Sequence, residues 1–366
     1  MTFSNSAAER RSSDAAIPQK GPVEREAENP HRADGHTVMV TGGAGYVGAI
    51  LTRTLLHAGY KVICIDNLRF GGHSLLDVWD HPLLRFEKAD ITDDAAMDRL
   101  IDEHRNCLAI IHLAAIVGDP ACKLEPDLAR KTNLDATVRL VKMAAASGIA
   151  RFVFASTCSN YGKMKEIGGY VDEDSPLAPV SLYAELKVGA EQFILSTMPK
   201  TDGFCPTCLR FATVYGLSPR MRFDLTVNEF TRDIALGREV VVFGEQFWRP
   251  YCHVRDFSKA ILAVLRECRE KVAYRVFNVG DTAENYTKRM LMEELLRLEP
   301  GGRVKYVRKE EDPRDYRVNF ARIRRELNFR ISRTVPQGMK DILTSLRLGV
   351  VPDPDHQRYH NTPLVT

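Results

Sequence analysis

The chain has 366 residues, with 51 basic residues against 48 acidic ones and a formal net charge of +3. That balance, with no basic block, gives no signature of a nucleic-acid partner or an anionic membrane surface. The longest apolar run, Leu108 to Val117 around His112, is too short to span a bilayer and suits a buried parallel strand.

Residues 1–35 are rich in Ser, Ala, Glu, Arg and Pro and lack apolar periodicity, so they are expected to form a disordered tail. A signal peptide's apolar core is missing there, and Glu9, Asp14, Glu24, Glu26 and Glu28 argue against a transit peptide. The eight cysteines are scattered, mostly in apolar surroundings, which suggests reduced thiols and a cytoplasmic protein. Cys205-Pro206-Thr207-Cys208 has no second pair to complete a zinc site and enters a strand, so no metal is expected.

From His36 onward strand and helix patterns alternate, which predicts an α/β fold of the doubly wound, Rossmann type: a parallel sheet covered on both faces. Val38 to Val40 is an apolar strand that runs into Gly42-Gly43-Ala44-Gly45-Tyr46-Val47-Gly48 and then an apolar helical face. Gly42 allows a tight turn, Gly45 lets backbone N–H groups approach a pyrophosphate, and Gly48 lets the helix pack on its strand. The next strand, Lys61 to Asp66, ends in a carboxylate placed to accept hydrogen bonds from an adenosine ribose, which favours NAD over NADP. Asp66 could instead merely cap a turn. Asp90-Ile91, after a third strand at Leu84 to Ala89, has a similar position toward adenine.

Further strands are expected at Ala109 to Ala114, Arg151 to Ser156 and Thr207 to Ala212, with Leu134, Val138, Val141 and Ala145 on one helical face. A helix from about Ser181 carries Tyr183 and Lys187 four apart, hence on one side. A phenol of reference pKa about 10 needs a nearby cation to act as a base near neutrality, and a hydroxyl such as that of Thr157 can bridge it to a substrate alcohol. Beyond Gly216 the alternation becomes irregular, with a helix at Leu225 to Leu236, a strand at Glu239 to Phe243, and regular elements again at Tyr251 to Leu265 and Val276 to Val279. The division expected is an NAD-binding domain at 36–215 and a smaller substrate-binding domain at 216–366, with parts of 251–281 returning to the first. The end after Asp355 is expected to fray.

With these motifs assembled, the chain from about His36 to Leu346 resembles the extended short-chain dehydrogenase/reductase family and, within it, the NAD-dependent nucleotide-sugar epimerases and dehydratases. The resemblance is carried by the glycine turn, His112-Leu113-Ala114-Ala115, Ser156-Thr157 leading to Tyr161-Gly162, Tyr183 to Lys187, Arg210 to Gly216, and Arg249 to Asp256. It implies that Tyr46, Val47, Asn67, Leu113, Ala114, Ala115 and Asn133 belong to the cofactor site, with Asn133 supporting the active site. It implies Tyr183 as base, Lys187 on the nicotinamide ribose, Thr157 on the sugar, and Thr213, Arg249 and Arg314 around a nucleotide-diphosphate sugar. A homodimer through the helices near Leu134 to Ala145 and Tyr183 to Ile194 is also implied.

The dehydratases follow the threonine with an Asp-Glu acid-base pair, whereas this chain has Cys158-Ser159; Thr213 and Pro250 also depart from the family pattern. The expected activity is therefore C4 epimerisation through a 4-keto sugar. The alternatives are an NDP-ketosugar reductase or dehydrogenase, a 4,6-dehydratase, and a non-catalytic dinucleotide-binding scaffold.

Overall fold

The structure is a computed structural model describing residues 35–163, 169–200, 202–312 and 314–362. Residues 1–34, which hold almost all of the expected tail, lie outside the described residues.

Seven parallel strands form the central sheet: β1 (Thr37–Thr41), β2 (Lys61–Asp66), β3 (Leu84–Lys88), β4 (Ala109–His112), β5 (Arg151–Thr157), β6 (Cys205–Phe211) and, late in the chain, Arg275–Val279. Their order runs Arg275–Val279, β6, β5, β4, β1, β2, β3, so the strand order reverses between β1 and β4. The register explains why these segments are apolar throughout rather than alternating. Val38 pairs with Val62 and Ala109 and faces one core; Met39 pairs with Ile63 and Ile110 and faces the other. Both faces are covered, as a parallel sheet requires.

On the first face lie the helices Tyr46–His57, through Leu51 and Leu55, and Val254–Arg266, through Phe257, Ile261 and Val264. On the second lie Asp94–Glu103, Ala136–Ala146 and Leu182–Gln192. The expected face Leu134, Val138, Val141 and Ala145 is only partly the buried one. Residues Lys131–Asp135 form a π-helical turn, which rotates the following helix so that Ala136, Leu140, Val141 and Ala144 go inward. Leu134 and Val138 are left half-buried, lining a groove of about 570 Å³ with Gly189 and Phe193.

From Thr213 onward, apart from the helix Val254–Arg266 and the strand Arg275–Val279, the chain builds a second layer with its own core. A three-stranded sheet joins β7 (Thr213–Tyr215), β9 (Trp248–His253) and β11 (Asn285–Thr287), and a parallel pair joins β8 (Glu239–Phe243) to β12 (Arg303–Val307); the late strand of the main sheet is β10. The helix Thr226–Ala235 buries Val227, Phe230, Thr231 and Ile234, an i, i+3, i+4, i+7 stripe, against Leu291, Leu295, Met339 and Leu343. Residues 355–362 do not fray as expected. They turn at Gln357–Tyr359 and dock on residues 223–238: Phe223 N–H donates to the Tyr359 carbonyl at 2.9 Å, Asn361 N–H to Asp224 Oδ2 at 3.2 Å, and Arg238 pairs with Asp355. These partners are distant in sequence, which is why periodicity carried no trace of the docking.

Candidate active site

The carboxyl ends of β1, β2 and β4 surround the glycine turn at the switch point, where open α/β sheets bind ligands. Gly42 has φ +74°, and a Cβ there would lie 2.8 Å from the Ala114 nitrogen, so the turn is pressed against the chain leaving β4. A Cβ on Gly48 would lie 2.0 Å from the Gly42 carbonyl oxygen. Gly45 caps the helix Tyr46–His57 in extended conformation, and the first N–H groups of that helix, at Tyr46, Val47 and Gly48, lack intrahelical acceptors. This cradle suits a dinucleotide diphosphate.

Asp66 stands beside it. Its carboxylate accepts from Ala44 N–H at 3.0 Å and Leu68 N–H at 2.8 Å, and burial raises its pKa. Asn67 donates to Asp90 Oδ2 at 2.8 Å. Burial pulls the Asp90 carboxyl upward, but hydrogen bonds from Asn67 and Thr92 hold it below the usual range. Ile91 is buried against the second core, while its carbonyl accepts from Arg139 at 2.8 Å. Leu113, Ala114 and Ala115 follow β4 directly, with Leu113 N–H donating to the Thr41 carbonyl at 3.1 Å. Asn133 is buried on the π-helical turn Lys131–Asp135. Both ends of its amide are committed to the backbone of Ile116, Oδ1 accepting at 2.8 Å and Nδ2 donating at 2.9 Å, so it positions the loop after β4.

The reaction side begins where β5 ends. Thr157 Oγ1 accepts from Ser159 N–H at 3.1 Å. Ser181 caps the helix Leu182–Gln192, which carries Tyr183 and Lys187. Lys187 is buried, its ammonium donating to the Ala155 carbonyl at 2.8 Å and lying 4.6 Å from the centre of the Phe154 ring; burial lowers its pKa to about 8. Burial drives the Tyr183 phenol well above its ordinary value and Cys122 adds to that; the cation pulling it down is Arg222 rather than the expected Lys187. Behind β5, Glu191 accepts from Ser156 Oγ at 2.7 Å and pairs with Arg210 at 2.5 Å in the interior.

On the outer side, Tyr46 OH donates to the Gly216 carbonyl at 2.5 Å, tying the first helix to the second layer. Thr213 is half-buried in β7, opposite Tyr251 of β9. Arg249 on β9 pairs with Asp312 at 2.8 Å and lies 5.5 Å from the Tyr316 ring centre. Arg314 pairs with Asp119, after β4, at 2.7 Å, and its N–H donates to Asp312 Oδ1 at 3.0 Å. The two arginines thus meet around Asp312, each already engaged by a carboxylate. Sequence reasoning passed over Asp119, Asp312, Tyr316 and the pair Arg220 and Arg222. The Arg-x-Arg-x-Asp spacing after Gly216 was the signal available for the last two.

A glycine cradle at the switch point of a parallel sheet, with a carboxylate at the end of β2 beside it, defines a dinucleotide-binding domain. The pattern of the NAD dependent epimerase/dehydratase family matches residues 38–280, and the chain belongs to that family. It is 30% identical to UDP-glucose 4-epimerase of Bos taurus over 269 residues, 66% of this chain and 76% of that one. It is 32% identical to dTDP-glucose 4,6-dehydratase of Streptomyces griseus over 305 residues, 80% and 88% of the two chains. Among solved structures, UDP-glucose 4-epimerase from Thermotoga maritima with UDP-glucose superimposes with TM-score 0.75 at 26% identity, over 86% of this chain and 99% of that one. A dTDP-glucose 4,6-dehydratase from Streptomyces venezuelae with NAD bound gives 0.74 at 28%, over 85% and 97%. NAD is the cofactor of this family, and the glycine cradle with Asp66 fits it.

Proposed function

We propose that this protein is a nucleotide-sugar epimerase that inverts the C4 centre through a 4-keto sugar. The observation that carries this reading is the pair of positions after Thr157. Where the resemblance leads one to expect an acid-base pair for water elimination in a dehydratase, this chain has Cys158 and Ser159. The Cys158 thiol is buried, donates to the Arg210 carbonyl at 3.2 Å, and is held by desolvation far above its ordinary pKa. It cannot trade protons with a sugar.

In this reading Tyr183 takes the proton from the C4 hydroxyl and later returns one, and Thr157 holds the same oxygen. Lys187, anchored at Ala155, turns toward the nicotinamide ribose. NAD, when bound, supplies the hydride acceptor and donor. Arg249 and Arg314 grip the sugar nucleotide's diphosphate, where planar guanidinium groups match phosphate oxygens, by exchanging their contacts with Asp312 and Asp119. The half-buried groove beside Leu134, Val138, Gly189 and Phe193 is the dimer face in the same reading. Seven buried thiols suit a cytoplasmic setting.

A 4,6-dehydratase is the second reading, favoured by the 32% identity to dTDP-glucose 4,6-dehydratase of Streptomyces griseus over 80% of this chain. Incubation with UDP-, GDP-, CDP- and dTDP-sugars under NMR separates them. Epimerisation gives a new anomeric signal without net change in nicotinamide absorbance, dehydration gives a new methyl signal, and a reductase or dehydrogenase consumes added nicotinamide cofactor. Sugar nucleotides left unchanged by a protein that binds NAD would point to a scaffold.

A further inference from the structure

Arg220 is an arginine without a counter-ion in a place built for anions. It is only 6% exposed. Its guanidinium carbon lies 4.2 Å from the centre of the Phe70 ring, and Nη2 donates to the His360 carbonyl at 3.4 Å. The buried Nε has no hydrogen-bond partner among the described residues. Arg222, two residues on, is satisfied by Asp224 through two bonds of 2.9 and 2.7 Å, whereas Arg220 has no ion pair among the described residues. Burial and then the charge of Arg222 lower its pKa to about 10. A buried cation with an open N–H is costly unless something negative arrives.

Its position says what arrives. The segment that carries it crosses the amino end of the first helix: Ser218 Oγ donates to the Tyr46 carbonyl at 2.7 Å, and the Tyr46 phenol holds the Gly216 carbonyl. Its side chain then reaches Phe70, four residues past the ribose carboxylate Asp66, whose charge it also feels. The guanidinium therefore spans the interval between the helix N-terminus, where a dinucleotide's diphosphate sits, and Asp66, where its adenosine ribose sits. We propose that Arg220 is the clamp that neutralises the diphosphate of bound NAD, closing the second layer over the cofactor from the side opposite the glycine turn. Phe70 holds the plane of the guanidinium, and the carbonyl of His360, brought there by the docked C-terminal segment, fixes its outer edge.

The test uses Arg220→Met, which keeps an aliphatic stem over Phe70, in the full-length protein freed of cofactor. Binding of NAD, NADP, ADP and adenosine is measured by titration calorimetry. Loss of a charge-assisted hydrogen bond to phosphate weakens NAD and ADP by about tenfold to a hundredfold, while adenosine stays within about twofold. Arg220→Lys, which restores the charge, recovers part of the loss. Unchanged affinity for NAD and ADP overturns the proposal, as does a parallel loss for adenosine. A loss confined to NADP would instead place the guanidinium on a 2′-phosphate and equally overturn it. Should the Met variant not fold, a crystal structure of the unmodified protein with ADP decides: the proposal stands if an Arg220 nitrogen lies within hydrogen-bond distance of a phosphate oxygen and fails if it does not. None of these outcomes depends on the sugar or on the epimerase reading.

Discussion

The Lys187 ammonium donates to the main-chain carbonyl of Ala155 at 2.8 Å, while Tyr183, one helical turn away, is left with a phenol raised by burial. The two residues share a helix side, yet the lysine is tied to β5. Tyr183→Phe removes only a hydroxyl and keeps the ring, so the fold should be unaffected. On the proposed mechanism turnover of the sugar nucleotide falls by about 10²–10⁴-fold, the usual worth of a general base. Steady-state NMR turnover, with NAD affinity and Tm measured side by side, checks this. Turnover equal to that of the unmodified protein would exclude Tyr183 as the base.

The glycines of the first turn separate folding from cofactor binding. A Cβ at Gly48 would strike the Gly42 carbonyl oxygen at 2.0 Å and Gly43 Cα at 2.7 Å, both backbone, so Gly48→Ala must prise the helix from its strand and lower Tm markedly. At Gly45 the nearest atom would be 3.2 Å away and φ is −74°, which alanine adopts freely. Gly45→Ala is therefore expected to keep nearly the parent Tm but to weaken NAD binding, because the new methyl occupies space at the anion cradle. Thermal melts with and without NAD distinguish the two, and the reverse order of effects would count against this view of the turn.

Periodicity was a good guide where burial is two-sided and local. Lys61 to Asp66 is a strand over the residues expected, since an apolar run between turn residues has few other fates. Thr157 at a strand end and Tyr183 and Lys187 on one helix are legible as positions, because they sit on short elements of fixed geometry. The atom that Lys187 reaches is not, because helical spacing sets a side and not a partner. The resemblance makes Asn133 a support of the active site, and the loop after β4 shows what it holds, with both ends of its amide bonded to Ile116. Leu134 and Val138 are only half-buried because a π turn at Lys131–Asp135, which the 3.6-residue period does not foresee, shifts the helical face. Arg220 and Arg222 read as solvated loop residues, since their burial depends on Phe70 and the segment near His360, far away in sequence.

The ion pair behind the threonine strand offers a stability test. Arg210 and Glu191 have side chains 5% and 2% exposed, and Glu191 also accepts from Ser156 and Asn160. Arg210→Met leaves that carboxylate without its cation in the interior, which costs about 3–5 kcal/mol. Changing Glu191 to leucine in the same chain removes the orphaned charge, so the double variant should lose clearly less than the sum of the two single losses. Urea unfolding of the four proteins measures the coupling; additive losses would show that the pair is not the source of the stability. Because Ser156 adjoins Thr157, the single variants should also slow turnover.

Glu284 predicts a pH dependence that originates outside the catalytic cleft. It is 5% exposed, and its Oε2 accepts from Val335 N–H, the first residue of the helix Val335–Arg347, at 2.8 Å. Burial raises its pKa from 4.5 to about 7 against the opposing pull of that hydrogen bond, with Asp281 adding to the rise. Between these values the folded protein holds a proton that the unfolded chain has released, so stability falls as pH rises through the window and the loss is complete above it. At roughly 1.4 kcal/mol per pH unit the group costs about 3 kcal/mol on the alkaline side. Glu284→Gln keeps an oxygen for Val335 and removes the titration. Its stability should therefore drop less than the parent's between pH 5 and pH 8, with the difference approaching that figure in urea unfolding at the two pH values. Equal drops in the two proteins would mean that Glu284 ionises near the ordinary carboxylate value and that the helix N-terminus compensates its burial in full.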